Sequence, residues 1–183
     1  MFLYNYNVGP GANFKCWGDN KITEWVGVEP NNYFEPMIEE QKVTHNITFP
    51  TRTTWLKGEN IDVEPASFDY VVATHVLCSV DSIDTVLAQV TSALKPGGKF
   101  MFIEHVVSED KYSATWVVQQ LISPFLYVVG NGCQFVATGD NIRKLNAAST
   151  SASKLYDIDI KDLWAPIPMP FLKPHVIGSV TKL

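Results

Sequence analysis

Two glycines one residue apart, in Asn7-Val8-Gly9-Pro10-Gly11-Ala12-Asn13-Phe14, sit between an aromatic, strand-like opening (Phe2 to Tyr6) and a short helical candidate. Glycines at that spacing let the backbone turn sharply and approach a ligand, and the helix behind them offers unpaired N–H groups to an anion. A Gly-Pro-Gly is also the make-up of an ordinary turn. Further on, Thr23 to Glu29 reads as a buried strand ending in a carboxylate, with Pro30-Asn31-Asn32 behind it. An acid at the tip of the second strand of a β-loop-α-β unit can accept hydrogen bonds from both hydroxyls of a ribose. Glu29 can equally cap a helix starting near Asn31 or Asn32. Together the loop and the acid point to a nucleoside ligand.

His75, His105 and Cys133 are the reactive side chains that fall near the same expected site. Each has a plain structural alternative. His75 can hydrogen-bond the loop after its strand, His105 can orient Glu104, and Cys133 can be a buried apolar residue, the commonest fate of a free cysteine. His105 is the catalytic candidate among them.

These residues must be positioned by a repeating strand-helix pattern. Strands are expected at Phe2 to Tyr6, Ile22 to Glu29, His45 to Phe49, Phe68 to His75, Lys99 to His105, Leu155 to Ile160 and Val176 to Val180. The fourth, Phe68-Asp69-Tyr70-Val71-Val72-Ala73-Thr74-His75, is β-branched and apolar enough for the middle of a parallel sheet. Pro50 to Pro65 reads as a loop. Helices are expected at Asn32 to Gln41, with Pro36 in the first turn, and after Asp81 or Ser82, where Ile83, Val86, Leu87, Val90 and Leu94 make one apolar stripe ended by Lys95-Pro96-Gly97-Gly98. Tyr112 to Val129 reads as a helix packed into the core, and Asp140 to Ala148 as a short helix. Strand-helix-strand alternation predicts an α/β, doubly wound, Rossmann-like sheet, mainly parallel with an antiparallel C-terminal strand, built as one domain over residues 1–183. The C-terminal edge of that sheet carries Gly9, Gly11, Glu29, Thr74, His75, Glu104 and His105, and ligands bind at that edge.

Composition narrows the ligand. A chain of 183 residues, 46% hydrophobic, buries a core of its own, and a net charge of −5 without a basic run attracts no phosphate backbone. A small molecule is the expected partner. Cys16, Cys78 and Cys133 form no C-x-x-C pair, which predicts reduced thiols, a cytoplasmic setting and no metal. The apolar stretch Trp116 to Val129 is interrupted by Gln119, Gln120, Ser123 and Pro124, and is too short and polar to span a bilayer.

Several blocks together resemble class I S-adenosylmethionine-dependent methyltransferases, and more closely the alkyl-thiol S-methyltransferase group. The glycine loop and Leu94-Lys95-Pro96-Gly97-Gly98 are common to the class. Val76-Leu77-Cys78-Ser79-Val80, Gly130-Asn131-Gly132-Cys133 and Pro174-His175-Val176-Ile177-Gly178 resemble the narrower group. The resemblance implies that Gly9 and Gly11 line the methionine and ribose portion of the cofactor, Glu29 beside Pro30 binds the ribose diol, Glu59 and Asn60 approach the adenine, and Thr74 and His75 face the reacting end. It implies an apolar thiol as acceptor, methylated without a metal by alignment and exclusion of water. The chain departs from the group at Asn5, where an acid is usual, and at Asn7, where a glycine is usual. Relatives begin with a membrane anchor and a helical segment and are associated with the endoplasmic reticulum or lipid droplets. The chain as given is expected to lack that start, to show no membrane contact of its own, and to turn over poorly. A non-catalytic or vestigial cofactor-binding protein is the alternative. A nicotinamide-dependent oxidoreductase fits less well, because Phe14 stands where its third glycine belongs and no second nucleotide-binding half follows Lys99.

Overall fold

The computed structural model describes residues 1–18, 21–61, 63–130, 132–146 and 154–183. Strands β1 (Phe2–Tyr6), β2 (Glu24–Val28), β3 (Thr51–Thr54), β4 (Phe68–Thr74), β5 (Leu94–His105), β6 (Tyr156–Trp164) and β7 (Pro174–Lys182) form one seven-stranded sheet in the order β3-β2-β1-β4-β5-β7-β6. The first five pair in parallel, and β7 runs antiparallel between β5 and β6. This is the expected Rossmann-like α/β sheet. Strand order reverses beside β1, and a ligand crevice opens at such a switch point. The period of two in β1 sends its side chains to two cores. Tyr4 and Tyr6 pack with Val86, Leu87 and Val90 of helix α2 (Ile83–Ala93), and Leu3 packs with Phe14, Trp25 and Ile38 on the other side.

Two expectations are corrected by the sheet. His45 to Phe49 is not a strand; the third strand is Thr51–Thr54, inside the stretch read as a loop. Its Thr-Arg-Thr-Thr sequence has no apolar alternation because it pairs with β2 on one side only, at the sheet edge. The other correction concerns helix α3 (Ala114–Val129), read as core. Only Gln119 of this helix is buried, while Leu121, Phe125, Val128 and Val129 are exposed. No described helix is long and apolar enough to cross a membrane.

Helix α1 (Glu35–Thr44) starts later than expected, after a 3-10 turn at Asn32–Phe34, and keeps Pro36 in its first turn. Helix α4 (Thr138–Arg143) runs into a 3-10 turn at Lys144–Asn146, and the expected continuation to Ala148 lies outside the described residues. Gln119 holds α3 in place. Its side-chain oxygen accepts from Ser108 N–H at 2.8 Å, and its amide donates to the carbonyls of Val106 at 3.0 Å and Phe171 at 2.9 Å. One buried amide thus ties the helix to the segments that follow β5 and precede β7.

Candidate active site

The parallel strands end at a cleft of about 520 Å³, lined by Tyr6, Asn7, Pro30, Lys57, Glu59 and Val76 among others. Next to it lies a cavity of about 360 Å³ lined by His75, Cys78, His105, Cys133, Leu172 and His175 among others. Asn7 and Ser79 line both. Asn7 has a φ of 49°, the left-handed region in which asparagine is the best tolerated side chain after glycine. The backbone turn usual with glycine is therefore kept, and a polar amide is placed between the two hollows.

The predicted cofactor residues divide between lining and scaffold. Pro30 and Glu59 line the cleft. The Glu59 carboxylate also accepts from Asp81 N–H at 2.6 Å and Ser82 N–H at 3.3 Å, which fixes the start of α2. Glu29 is fully buried, and its two oxygens accept from Gly9 N–H at 2.8 Å and Asn31 N–H at 2.9 Å. It does join the glycine loop to the segment before α1, as its helix-capping alternative implied, and each oxygen keeps a second lone pair. Gly9 has a φ of 54°, and a Cβ there would meet nothing within 4 Å, so its bare face is open. Gly11, at φ 88°, is instead close against Gln41 and Phe14, where a Cβ would stand 3.1 Å from each. Thr74 Oγ1 accepts from Asn13 Nδ2 at 3.3 Å, and the same amide reaches Asn5 Oδ1 at 3.3 Å. Of the predicted cofactor residues, Gly9, Gly11, Glu29, Asn60 and Thr74 line neither hollow; they stand behind the walls.

The second cavity gathers residues that are distant in sequence. His105 ends β5 and His175 stands opposite it in the antiparallel register with β7. His75 leaves β4 at a φ of 53°. His175 Nδ1 is 3.1 Å from the Lys173 carbonyl, which can only accept, so that nitrogen carries the hydrogen. In a neutral ring its Nε2 then accepts from His75 Nε2–H, 3.1 Å away. Burial first, and then the neighbouring His105 and His175 rings, push the His75 pKa down to about 4, so His75 is neutral at neutral pH.

His105 Nε2 lies 2.9 Å from Cys133 Sγ. Burial disfavours the charged imidazole, but the adjoining Cys78 thiol and the Glu104 carboxylate outweigh it and raise the His105 pKa. Between the thiols the asymmetry is clear. The hydrogen bond to Cys133 and burial push Cys78 up to about 12, and the same bond lowers Cys133. Cys78 therefore keeps its proton and directs it toward a more acidic Cys133. Behind them Glu104 is fully buried; Val76 N–H donates to both its oxygens at 3.0 Å and Leu77 N–H to one at 3.2 Å. Burial pushes its pKa up to about 8 against the pull of those N–H groups.

Cys78 and His175 carry no predicted role, although both sit in blocks that mark the narrower resemblance. Only the fold brings them to His105. Asn131, in the Gly-Asn-Gly-Cys block, lies outside the described residues.

Residues 6–102 match the methyltransferase domain family. The human thiol S-methyltransferase TMT1A is 33% identical over 185 residues, which span 100% of this chain and 71% of the relative. The chain belongs to the S-adenosylmethionine-dependent methyltransferases. A rat thiol S-methyltransferase, TMT1B, is 33% identical over 98% of this methyltransferase and 70% of the relative. Among solved structures, a SAM-dependent methyltransferase from Methanosarcina mazei superposes with a TM-score of 0.73 at 12% identity, covering 100% of this chain and 92% of that one. A geranyl diphosphate methyltransferase in complex with SAM gives 0.73 at 12% identity, covering 100% and 78%. At that identity the likeness is one of fold.

The cleft suits the family's cofactor. Its 520 Å³ falls within the roughly 300–1,000 Å³ typical of small-molecule sites. Its walls combine the aromatic Tyr6 and Tyr127 with the carboxylates of Glu59 and Asp81. A nicotinamide oxidoreductase is set aside by the family match.

Proposed function

We propose that this methyltransferase acts on a small apolar thiol bound in the 360 Å³ cavity. The observation that carries the reading is the shared wall: the cavity with its imidazoles and thiols meets the cofactor cleft at Asn7 and Ser79. Bound in the cleft, S-adenosylmethionine supplies an electrophilic methyl group on a sulfonium. Gly9, Pro30 and Glu59 hold the nucleoside, with Glu29 fixing the glycine loop and offering its remaining lone pairs to the ribose. Gly11, Asn60 and Thr74 support that cradle from behind. Leu126, Ile167 and Leu172 give the acceptor an apolar seat. His105 is the catalytic candidate, because its ring lines the acceptor cavity and its surroundings favour the charged imidazole, a partner for an acceptor thiolate; free thiols have a pKa near ~8.5 and are mostly protonated at neutral pH. His75 faces the reacting end from the same cavity.

Thiol S-methylation, the activity for which the human and rat relatives are named, supports the acceptor class. A net charge of −5 and the small cavity favour a small molecule over nucleic acid, and widely spaced cysteines with no C-x-x-C pair favour a reducing compartment such as the cytoplasm. The test is methyl transfer from radiolabelled S-adenosylmethionine to matched alkyl thiols, alcohols and amines, with calorimetric titration of cofactor, demethylated product and NADH. Thiols alone should be labelled, and NADH should not bind. Labelling of the alcohol or amine with no thiol product rejects the acceptor class; cofactor binding without any transfer favours a vestigial cofactor-binding protein.

A further inference from the structure

We propose that Cys78, His105 and Cys133 form a zinc site whose open fourth position takes the acceptor thiol as its thiolate. The substrate half rests on the thiol reading above; the metal site does not. Cys78 Sγ, Cys133 Sγ and one ring nitrogen of His105 all lie within 4.8 Å of one another, and His105 Nε2 is 2.9 Å from Cys133 Sγ. Tetrahedral zinc, with bonds of about 2.3 Å to sulfur and 2.0–2.1 Å to nitrogen, spaces its ligand atoms roughly 3.5–4 Å apart. One pair is closer than the required spacing and no pair exceeds it by more than about an ångström, so side-chain shifts of under an ångström complete the site. Two thiolates and an imidazole are a soft donor set suited to zinc, and three protein ligands with one open position are the pattern of a catalytic zinc rather than a structural one.

The expectation of no metal rested on the absence of a local C-x-x-C pair. Here the donors come from three separate places: the loop after β4, the tip of β5 and the turn after α3. Their supports are built in. Gln134 N–H donates to the Cys78 carbonyl at 3.0 Å and fastens the two cysteine loops together. Glu104 grips Val76 and Leu77, the two residues before Cys78. Ser79 Oγ lies 3.3 Å from Cys78 Sγ. Outer-shell partners of this kind orient ligands and keep a site in shape before the ion arrives.

The open position faces the apolar cavity, which Cys78, His105 and Cys133 all line. A thiol entering there binds the ion through sulfur and loses its proton to solvent. Two protein thiolates neutralise the ion, so the added thiolate leaves one net negative charge beside a cationic donor. The thiolate lone pair forms the new bond to the methyl carbon. The electron pair of the broken sulfonium bond stays on the donor sulfur, and both products are neutral thioethers, poor ligands that leave the ion. With the ion bound, His105 is a neutral ligand, and the zinc takes over the stabilisation of the acceptor thiolate that an imidazolium gives in its absence.

The test strips the full chain with a chelator under a phosphine reductant and reloads it with cobalt(II). The expected result is one cobalt per chain with a thiolate-to-cobalt charge-transfer band and tetrahedral visible bands. Cys78→Ser and Cys133→Ser should each lose at least half of the band, and Cys16→Ser should keep it. Addition of butanethiol should shift the band, and chelation should lower thiol methylation at least tenfold, with zinc restoring it. A natively folded chain, verified by circular dichroism, that binds no cobalt with thiolate character overturns the site. So does a band that survives both cysteine substitutions, or full thiol methylation in a preparation shown by elemental analysis to be metal-free; that last result leaves the thiol reading standing. A cobalt band with the expected cysteine dependence, in a chain that methylates no thiol, upholds the metal site and rejects the thiol reading instead.

Discussion

Replacing Glu104 by Gln should abolish a pH dependence of stability that the wild type carries between about pH 4.5 and 8. Burial raises the folded-state pKa of this carboxyl from 4.5 to about 8. In that window the folded chain holds a proton that the unfolded chain has released, so stability falls as pH rises. One pKa unit is about 1.4 kcal/mol, which gives a loss on the order of 4–5 kcal/mol across the window. Glutamine imitates the protonated acid: its oxygen still accepts from Val76 N–H, and it cannot ionise. At pH 5 the two proteins should unfold at similar urea concentrations. At pH 8.5 the variant should be the more stable, and with a urea slope near ~2 kcal/mol/M its midpoint should lie about 2 M higher. His75 titrates alike in both proteins and cancels in the difference, whereas His105 loses in the variant the upward pull that Glu104 supplies. A difference that stays flat from pH 5 to 9, or one that favours the wild type as pH rises, would falsify the argument by showing that the three N–H contacts outweigh desolvation.

Glu29→Ala should weaken S-adenosylmethionine binding ten- to a hundred-fold by calorimetry, because it frees the glycine loop and removes the acceptor proposed for the ribose, a charged hydrogen-bond loss of ~1.5–3 kcal/mol; unchanged affinity rejects that role. His105→Gln should lose thiol methylation at neutral pH and recover part of it at alkaline pH, where the acceptor ionises unaided, whereas an equal loss at every pH rejects the imidazolium role and leaves a ligand or structural one, which cobalt binding by the variant separates. Gly27→Ala should cost ~1–3 kcal/mol in thermal denaturation, since a Cβ there would lie 2.5 Å from Val8 Cγ2 and run into the Trp25 ring, both within a closed core; a melting temperature within a degree of the wild type contradicts that packing.

Where local pattern decides the structure, the sequence is readable. The apolar run of β4 and the stripe of α2, capped by Ser82 accepting from Thr85 N–H, form as their periodicity dictates. Thr51–Thr54 hides because an edge strand made of Thr and Arg carries no burial signal, and its pairing with β2 is set by the sheet. Helix α3 misleads in the other direction: an apolar composition implies a core, but this helix meets the body mainly through Gln119 and the turn at Pro170–Leu172. The site divides in the same way. His75 and His105 can be placed at the sheet edge from their strand-end positions, because strand tips converge in any parallel sheet, whereas Glu59, on the 3-10 turn Gly58–Asn60, is reached only through the family resemblance. His175 reaches His105 only through the antiparallel register of β7, and Cys78 meets Cys133 only because a turn after α3 folds back onto the loop after β4. No spacing rule reports such long-range meetings.

Asn7 and Ser79 form a common wall between the two hollows, and this has a thermodynamic consequence. A ligand on one side that moves either residue changes the free energy of binding on the other, and the change must be equal in both directions. Cofactor should alter acceptor affinity by the same factor by which acceptor alters cofactor affinity. Because Asn7 occupies a backbone conformation that few side chains tolerate, its position has few alternatives, and the coupling passes through a stiff element. Substitutions there should show up in the ratio of binary to ternary dissociation constants before they show up in either constant alone.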